Sequence, residues 1–294
     1  IFAHGGVILR NRGAGGRKMM NDKSGIDWDD AFANGAYIEN SMSYPPIWAA
    51  RAAAFRAEAD RAKTDIVYGD HPREKLDLFF PSNAPSGLVV IVHGGYWLKF
   101  DKSSWSDLAE GALGNGWAVA MPSYTLAPEA RIENITHQIG CAITHAAEQV
   151  AGPVRLAGHS AGGHLVTRMV CDDSPLLPAL LERVEGLVSI SGLHDLRPLQ
   201  LTTMNQQLHL TPKSAALESA VLHRPAGRAQ VVCWVGGAER PEFLRQSAVL
   251  AETWGRAGAK TQLVVDPGKH HFDVIDGLKD PQSDMTRTLL GLTS

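Results

Sequence analysis

The chain has 294 residues and a formal net charge of −3, with 44% hydrophobic and 20% charged residues. That is ordinary globular composition with ample material for a core, and its scattered basic residues exclude an electrostatic case for nucleic acid or an anionic membrane. No apolar run approaches the ~20 residues that span a bilayer, and three cysteines (Cys141, Cys171, Cys233) without C-x-x-C spacing point to a reducing, cytoplasmic compartment.

Residues 1–20 are glycine- and arginine-rich, run up to Met19-Met20 and lack the pattern of a secretory signal. They are expected to be a disordered or expression-derived extension, with 21–294 forming one domain. The alanine- and arginine-rich stretch 46–63 reads as a helix ahead of a sheet. From Asp65 onward, apolar strand-length runs alternate with helix-length segments, which predicts an α/β fold: a mostly parallel, twisted sheet with helices on both faces and a small N-terminal helical or cap segment. Strands are expected at 65–68, 76–80, 88–92, 117–121, 154–157, 186–190, 231–235 and 261–265. Amphipathic stretches fall at 105–113, 132–150, 163–170, 243–255 and 285–292. A further non-sheet stretch, 196–222, or the helix 46–63 is placed to cover the mouth of a site at the strand ends.

The most informative segment is Gly158-His159-Ser160-Ala161-Gly162, directly after the apolar run 153–157. A G-x-S-x-G between a strand and a helix is a nucleophile elbow, where small neighbours let the chain turn sharply and lift the serine hydroxyl above the sheet edge. Some distance earlier, the run 88–92 leads into His93-Gly94-Gly95, the position of a second oxyanion-binding loop in such proteins. Backbone N–H groups near Gly94, Gly95 and Tyr96 and at Ala161 are the expected oxyanion donors. His93, His159 and His164 are read as structural neighbours.

A serine needs a histidine to take its proton, and the histidine needs a carboxylate to fix its tautomer. The chain order around such an elbow is serine, acid, histidine. Past the strand 231–235 lie Glu239 and Glu242. Glu239 is the preferred acid, because Glu242 follows Pro241 at a helix start, where a carboxylate serves the helix dipole. Asp195, past the preceding strand, is a third option. Past the last strand, His270 and His271 are adjacent, and spacing does not choose between them. Their neighbour Asp273 completes no zinc motif, so neither metal nor cofactor is expected. Tyr96-Trp97 are expected to wedge the loop against a helix, to line a pocket for an aromatic substrate with one of the rings, or both at once.

These residues resemble the α/β-hydrolase superfamily, on the branch of the hormone-sensitive-lipase-like esterases. The resemblance rests on His93-Gly94-Gly95, on Ser123-Tyr124-Thr125-Leu126-Ala127-Pro128 and on the elbow. The chain departs from the branch in Tyr96, where many esterases carry a third glycine, and in Thr125, where arginine is common. His93-Gly94-Gly95-Tyr96-Trp97 is similar to the oxyanion loop of serine-type kynurenine formamidases (arylformamidases). So are Ser191-Gly192-Leu193-His194-Asp195, Pro241-Glu242-Phe243 with Arg245-Gln246-Ser247, and His271-Phe272-Asp273. That family has an aspartate where Glu239 stands, and its histidine precedes Phe-Asp, which implies His271. The resemblance implies a triad of Ser160, Glu239 and His271 that hydrolyses N-formyl-L-kynurenine to kynurenine and formate in tryptophan catabolism. A broad carboxylesterase with the same triad is the alternative. The expected partner is a small-molecule substrate, with no nucleic acid and no membrane; a homodimer is admitted but not required.

Overall fold

The computed structural model describes residues 25–292, and the extension expected at 1–20 lies outside them. Eight strands form one sheet in the order β1-β2-β4-β3-β5-β6-β7-β8. They are β1 (Ala62–Val67), β2 (Lys75–Phe79), β3 (Leu88–Val92), β4 (Ala118–Pro122), β5 (Val154–His159), β6 (Val184–Ile190), β7 (Gln230–Gly236) and β8 (Thr261–Asp266). The β1–β2 and β2–β4 pairs are antiparallel, and all the others are parallel. Each expected strand is present within a few residues of its span.

The continuous apolar runs follow from burial on both faces of the sheet. On β3, Leu88, Val90 and Val92 join one buried cluster, and Val89 and Ile91 join the other. β7 divides likewise, Val231, Cys233 and Val235 against Val232 and Trp234. The first face is covered by the helix Ile132–Gln149, whose Ile132, Ile135, Ile139 and Ile143 recur at helical spacing. The helix Pro241–Arg256 covers it further with Phe243, Leu250 and Trp254. On the opposite face lie Trp48 of the helix Tyr44–Glu58 and Met285, Leu289 and Leu290 of Asp284–Leu290.

Two expected elements are corrected. The helix predicted over 46–63 stops at Glu58, and Ala62 and Lys63 belong to β1. Pairing with β2 wins over a helical composition that carries no stop signal of its own. The stretch 105–113 is not one amphipathic helix but a 3-10 turn, Ser106–Ala109, running into the short helix Glu110–Gly114. The stretch 196–222 stays outside the sheet as expected, broken into four short helical pieces.

The topology brings five segments to the carboxyl ends of parallel strands, where this architecture places ligands. His93 to Trp97 follow β3, Ser160 follows β5, Ser191 follows β6, Glu239 follows β7, and His270 and His271 follow β8.

Candidate active site

β5 ends at His159 and the helix Ala161–Arg168 starts two residues later, so Ser160 makes the turn alone. It does so at φ 55° and ψ −116°, a conformation that side-chain sterics disfavour and that the surroundings must impose. The Ser160 N–H is anchored to the carbonyl of Ile190 at 2.8 Å. The elbow tolerates no bulk: a Cβ on Gly162 would stand 2.0 Å from the carbonyl oxygen of Val92. The loop after β3 lies directly against it, since a Cβ on Gly94 would meet the Ser160 Cβ at 3.1 Å.

The Glu239 carboxylate is almost out of water and accepts four donors. On Oε2 these are His271 Nδ1–H at 2.6 Å and Asn34 Nδ2–H at 3.3 Å; on Oε1 they are the Ser191 hydroxyl at 2.5 Å and the Gly236 N–H at 2.8 Å. Burial pushes this carboxyl up, but the His271 imidazole and the donors from His271, Ser191 and Gly236 outweigh burial and hold it below its ordinary value. With Nδ1 committed to Glu239, Nε2 is the His271 nitrogen left to exchange a proton.

The His271 ring lies 4.5 Å from that of His159 and 4.7 Å from that of Phe243. His159 Nε2–H also donates to the His271 carbonyl at 2.9 Å. Both contacts hold the imidazole beside the elbow, since His159 is the residue just before Ser160. Burial, reinforced by the neighbouring His271, drives the His159 pKa well below its ordinary value and keeps it neutral. His93 is also neutral, its pKa lowered to about 4 by burial. Its ring stacks on Tyr124 at 4.2 Å, whose hydroxyl donates to the His93 carbonyl.

The alternatives that spacing left open are separated by their partners. His270 is hydrogen-bonded through Nε2 to the Tyr44 hydroxyl at 3.0 Å. Glu242 is gripped by Arg245 with two contacts of 2.7 Å. Asp195 is gripped by Arg197 at 2.8 and 2.9 Å. Neither of these carboxylates meets a histidine among the described residues. The group of side chains that could hold a metal ion among the described residues, Asp172, Asp173 and His223, includes none of the site residues.

The backbone N–H groups of Gly94, Gly95, Tyr96 and Ala161 have no acceptor among the described residues. Tyr96 and Trp97 hold the loop in place, both at positive φ. The Tyr96 hydroxyl donates to the Phe32 carbonyl at 2.6 Å, and the residue as a whole is partly exposed. Trp97 corrects the expectation that it lines a substrate pocket. It is 0% exposed and sits edge-on to His164 at 5.2 Å, because its ring fills the core cluster on that face of the sheet.

Two residues on the acid escaped sequence reasoning. Ser191 lies in the Ser-Gly-Leu-His-Asp run quoted for the family resemblance, and its backbone stands at a strained φ of 50°. Asn34 carries no sequence signal and reaches Glu239 from 205 positions away.

No helix among the described residues is long and apolar enough to cross a membrane. Residues 76–231 match the profile of the BD-FAE family. The kynurenine formamidase of Danio rerio is 27% identical, over 85% of this chain and 90% of its own. A crystal structure from Silicibacter sp. TM1040, of a protein assigned provisionally as a thioesterase, is 51% identical with a TM-score of 0.87, covering 90% of this chain and 100% of that one. The esterase of Pyrobaculum calidifontis shares the fold at 16% identity and a TM-score of 0.65, over 85% of this chain and 92% of that one. An eight-stranded hydrolase sheet, a serine elbow on it and these similarities lead to one family: the chain is a hydrolase of the α/β-hydrolase fold and belongs to the BD-FAE family.

Proposed function

We propose that this chain is a serine hydrolase that cleaves the formamide of N-formyl-L-kynurenine to kynurenine and formate. The observation that carries the reading is the 2.6 Å bond from His271 Nδ1–H to Glu239, on an imidazole held against the residue that precedes Ser160. The kynurenine formamidase relatives supply the substrate class.

Ser160 Oγ attacks the formyl carbon while His271 Nε2 takes its proton, and Glu239 offsets the charge that develops on the imidazole. The tetrahedral oxyanion takes up the unpartnered N–H groups of Gly94, Gly95, Tyr96 and Ala161, each such donor being worth about 2.7–4 kcal/mol in the transition state. His271 then protonates the departing aniline nitrogen, leaving a formyl ester on Ser160. A water deprotonated by His271 attacks that ester, and formate leaves as Ser160 regains its proton. The close approach of Gly94 to Ser160 suits an acyl group as small as formyl. Of the two rings assigned to the substrate, the partly exposed Tyr96 is the one left for the aniline side. Three unpaired thiols suit a reducing compartment such as the cytoplasm.

A second reading, hydrolysis of short esters or thioesters by the same residues, is favoured by the thioesterase assignment of the 51% identical structure. The deciding experiment compares kcat/KM on N-formyl-L-kynurenine, p-nitrophenyl acetate and a short acyl thioester. At least ~10⁴ M⁻¹s⁻¹ on the formamide, well above the other two, is expected. Ester or thioester turnover with little formamide turnover would move the protein to the second reading. Ser160→Ala should abolish whichever activity is found.

A further inference from the structure

The segment ahead of the sheet lies outside the family-matched span 76–231, yet it reaches three loops of the site, those after β3, β7 and β8. The Phe32 carbonyl accepts from Tyr96 in the loop after β3. Asp30 pairs with Arg240, and the Tyr37 ring lies 3.8 Å from the same guanidinium. Tyr44 meets His270 in the loop after β8. Asn34, 5% exposed, sits between these anchors.

The Asn34 amide is oriented by its surroundings. Its Oδ1 accepts the Arg240 N–H at 2.9 Å, so its Nδ2 is the end that meets Glu239 Oε2. Oε1 of that carboxylate is pinned by Ser191 and Gly236, while on Oε2 the donors are His271 and Asn34. A glutamate has one more rotatable bond than an aspartate and needs more contacts to hold its carboxylate plane still.

We propose that Asn34 is a positioning residue of this site: it holds the Glu239 carboxylate in the orientation that serves His271, so the N-terminal segment completes the active site. This rests on the serine-hydrolase reading above. Asn34 touches no reacting atom and acts through Glu239.

The test uses the full chain and the variants Asn34→Asp and Asn34→Ala. It measures kcat, KM and their pH profiles on p-nitrophenyl acetate and N-formyl-L-kynurenine, and the rate at which a fluorophosphonate labels Ser160. Asn34→Asp keeps an acceptor for the Arg240 N–H; buried beside Glu239, its carboxyl ionises only toward the alkaline end of the profile, and there it has no hydrogen to donate to Glu239. It is expected to lower kcat and the labelling rate about tenfold or more with KM little changed. Its added negative charge favours the imidazolium form of His271, so the acid limb of the profile should move to higher pH. Asn34→Ala should lower kcat with a smaller displacement of that limb.

An Asn34→Asp chain whose kcat and labelling rate stay unaltered up to about pH 9, where even a strongly raised carboxyl is ionised, overturns the proposal, because the bond to Arg240 would then be all that Asn34 supplies. If that variant does not fold, unaltered kcat and labelling in Asn34→Ala overturn it instead. Loss of formamide turnover alone would sink the substrate reading, and the ester and labelling rates would still decide the role of Asn34. A native chain in which Ser160 resists the label and neither substrate is turned over would sink both.

Discussion

Glu239 carries two donors on each oxygen, which is what a carboxylate nearly removed from water requires to stay ionised. Glu239→Gln keeps the shape but replaces one acceptor oxygen with an NH₂ group. Whichever way that amide turns, it sets a donor against donors and removes the charge that supports the His271 imidazolium. A fall in kcat/KM of about 10³-fold or more is expected, by analogy with loss of the acid from other serine triads. Glu242→Gln, whose neighbours are Arg245 and Gln246, should retain most of the turnover. Steady-state kinetics of the two variants side by side check this, and equal losses would reopen the choice of acid. At this scale the sequence already named Ser160, His271 and Glu239 as candidates. It was silent on Asn34, because a hydrogen bond between distant segments leaves no local pattern.

Among the elements, the two antiparallel strands at the start of the sheet depend on one buried cation. Lys102, 8% exposed, pairs with Asp77 of β2 at 2.7 Å and with Asp65 of β1 at 3.0 Å. Asp65 sits at φ 56° where the β1–β2 register shifts, and its N–H donates to Asp77 Oδ1 at 2.9 Å. Lys102→Met would leave Asp77, 0% exposed, without its counter-charge. Loss of one partner of a buried pair costs about 3–5 kcal/mol, so the urea midpoint should fall accordingly. A midpoint equal to that of the unaltered chain would mean that water already screens the pair. Elements of this kind were legible as strands from their apolar runs. The lysine was not, since an isolated charge between Asp101 and Ser103 reads as surface.

Across the whole molecule, burial keeps several histidines neutral. His93 is lowered to about 4 and His194 to about 3, both by burial, and His159 is driven well below its ordinary value. Their folded pKa values lie below the unfolded value of about 6.5, so the unfolded chain binds more protons between those limits. Stability therefore rises with pH through that window and is lost as pH falls below about 6.5, by up to about 1.4 kcal/mol per pH unit for each histidine. The depressed carboxyl of Glu239 adds a loss in the same direction only as pH falls below the ordinary carboxylate range. Urea midpoints at pH 7.5, 6 and 5 should decline steadily, before most carboxylates titrate. A flat series over that range would show that these histidines take up protons in the folded state.

The order of strands and helices, the elbow and the candidate residues on its flanking loops were determined by the sequence itself. Those properties are local: apolar runs of strand length, helical spacing of isoleucines, and small residues around Ser160. Tertiary structure alone decided which acid meets His271, that His270 turns to Tyr44, that Trp97 is spent on the core, and that Asn34 meets Glu239. Each of these depends on side chains brought together by the crossover of parallel strands, and Asn34 and Glu239 lie 205 positions apart. Sequence spacing carries no information about a meeting made at that distance; only the packed sheet and the segment folded across its carboxyl edge do.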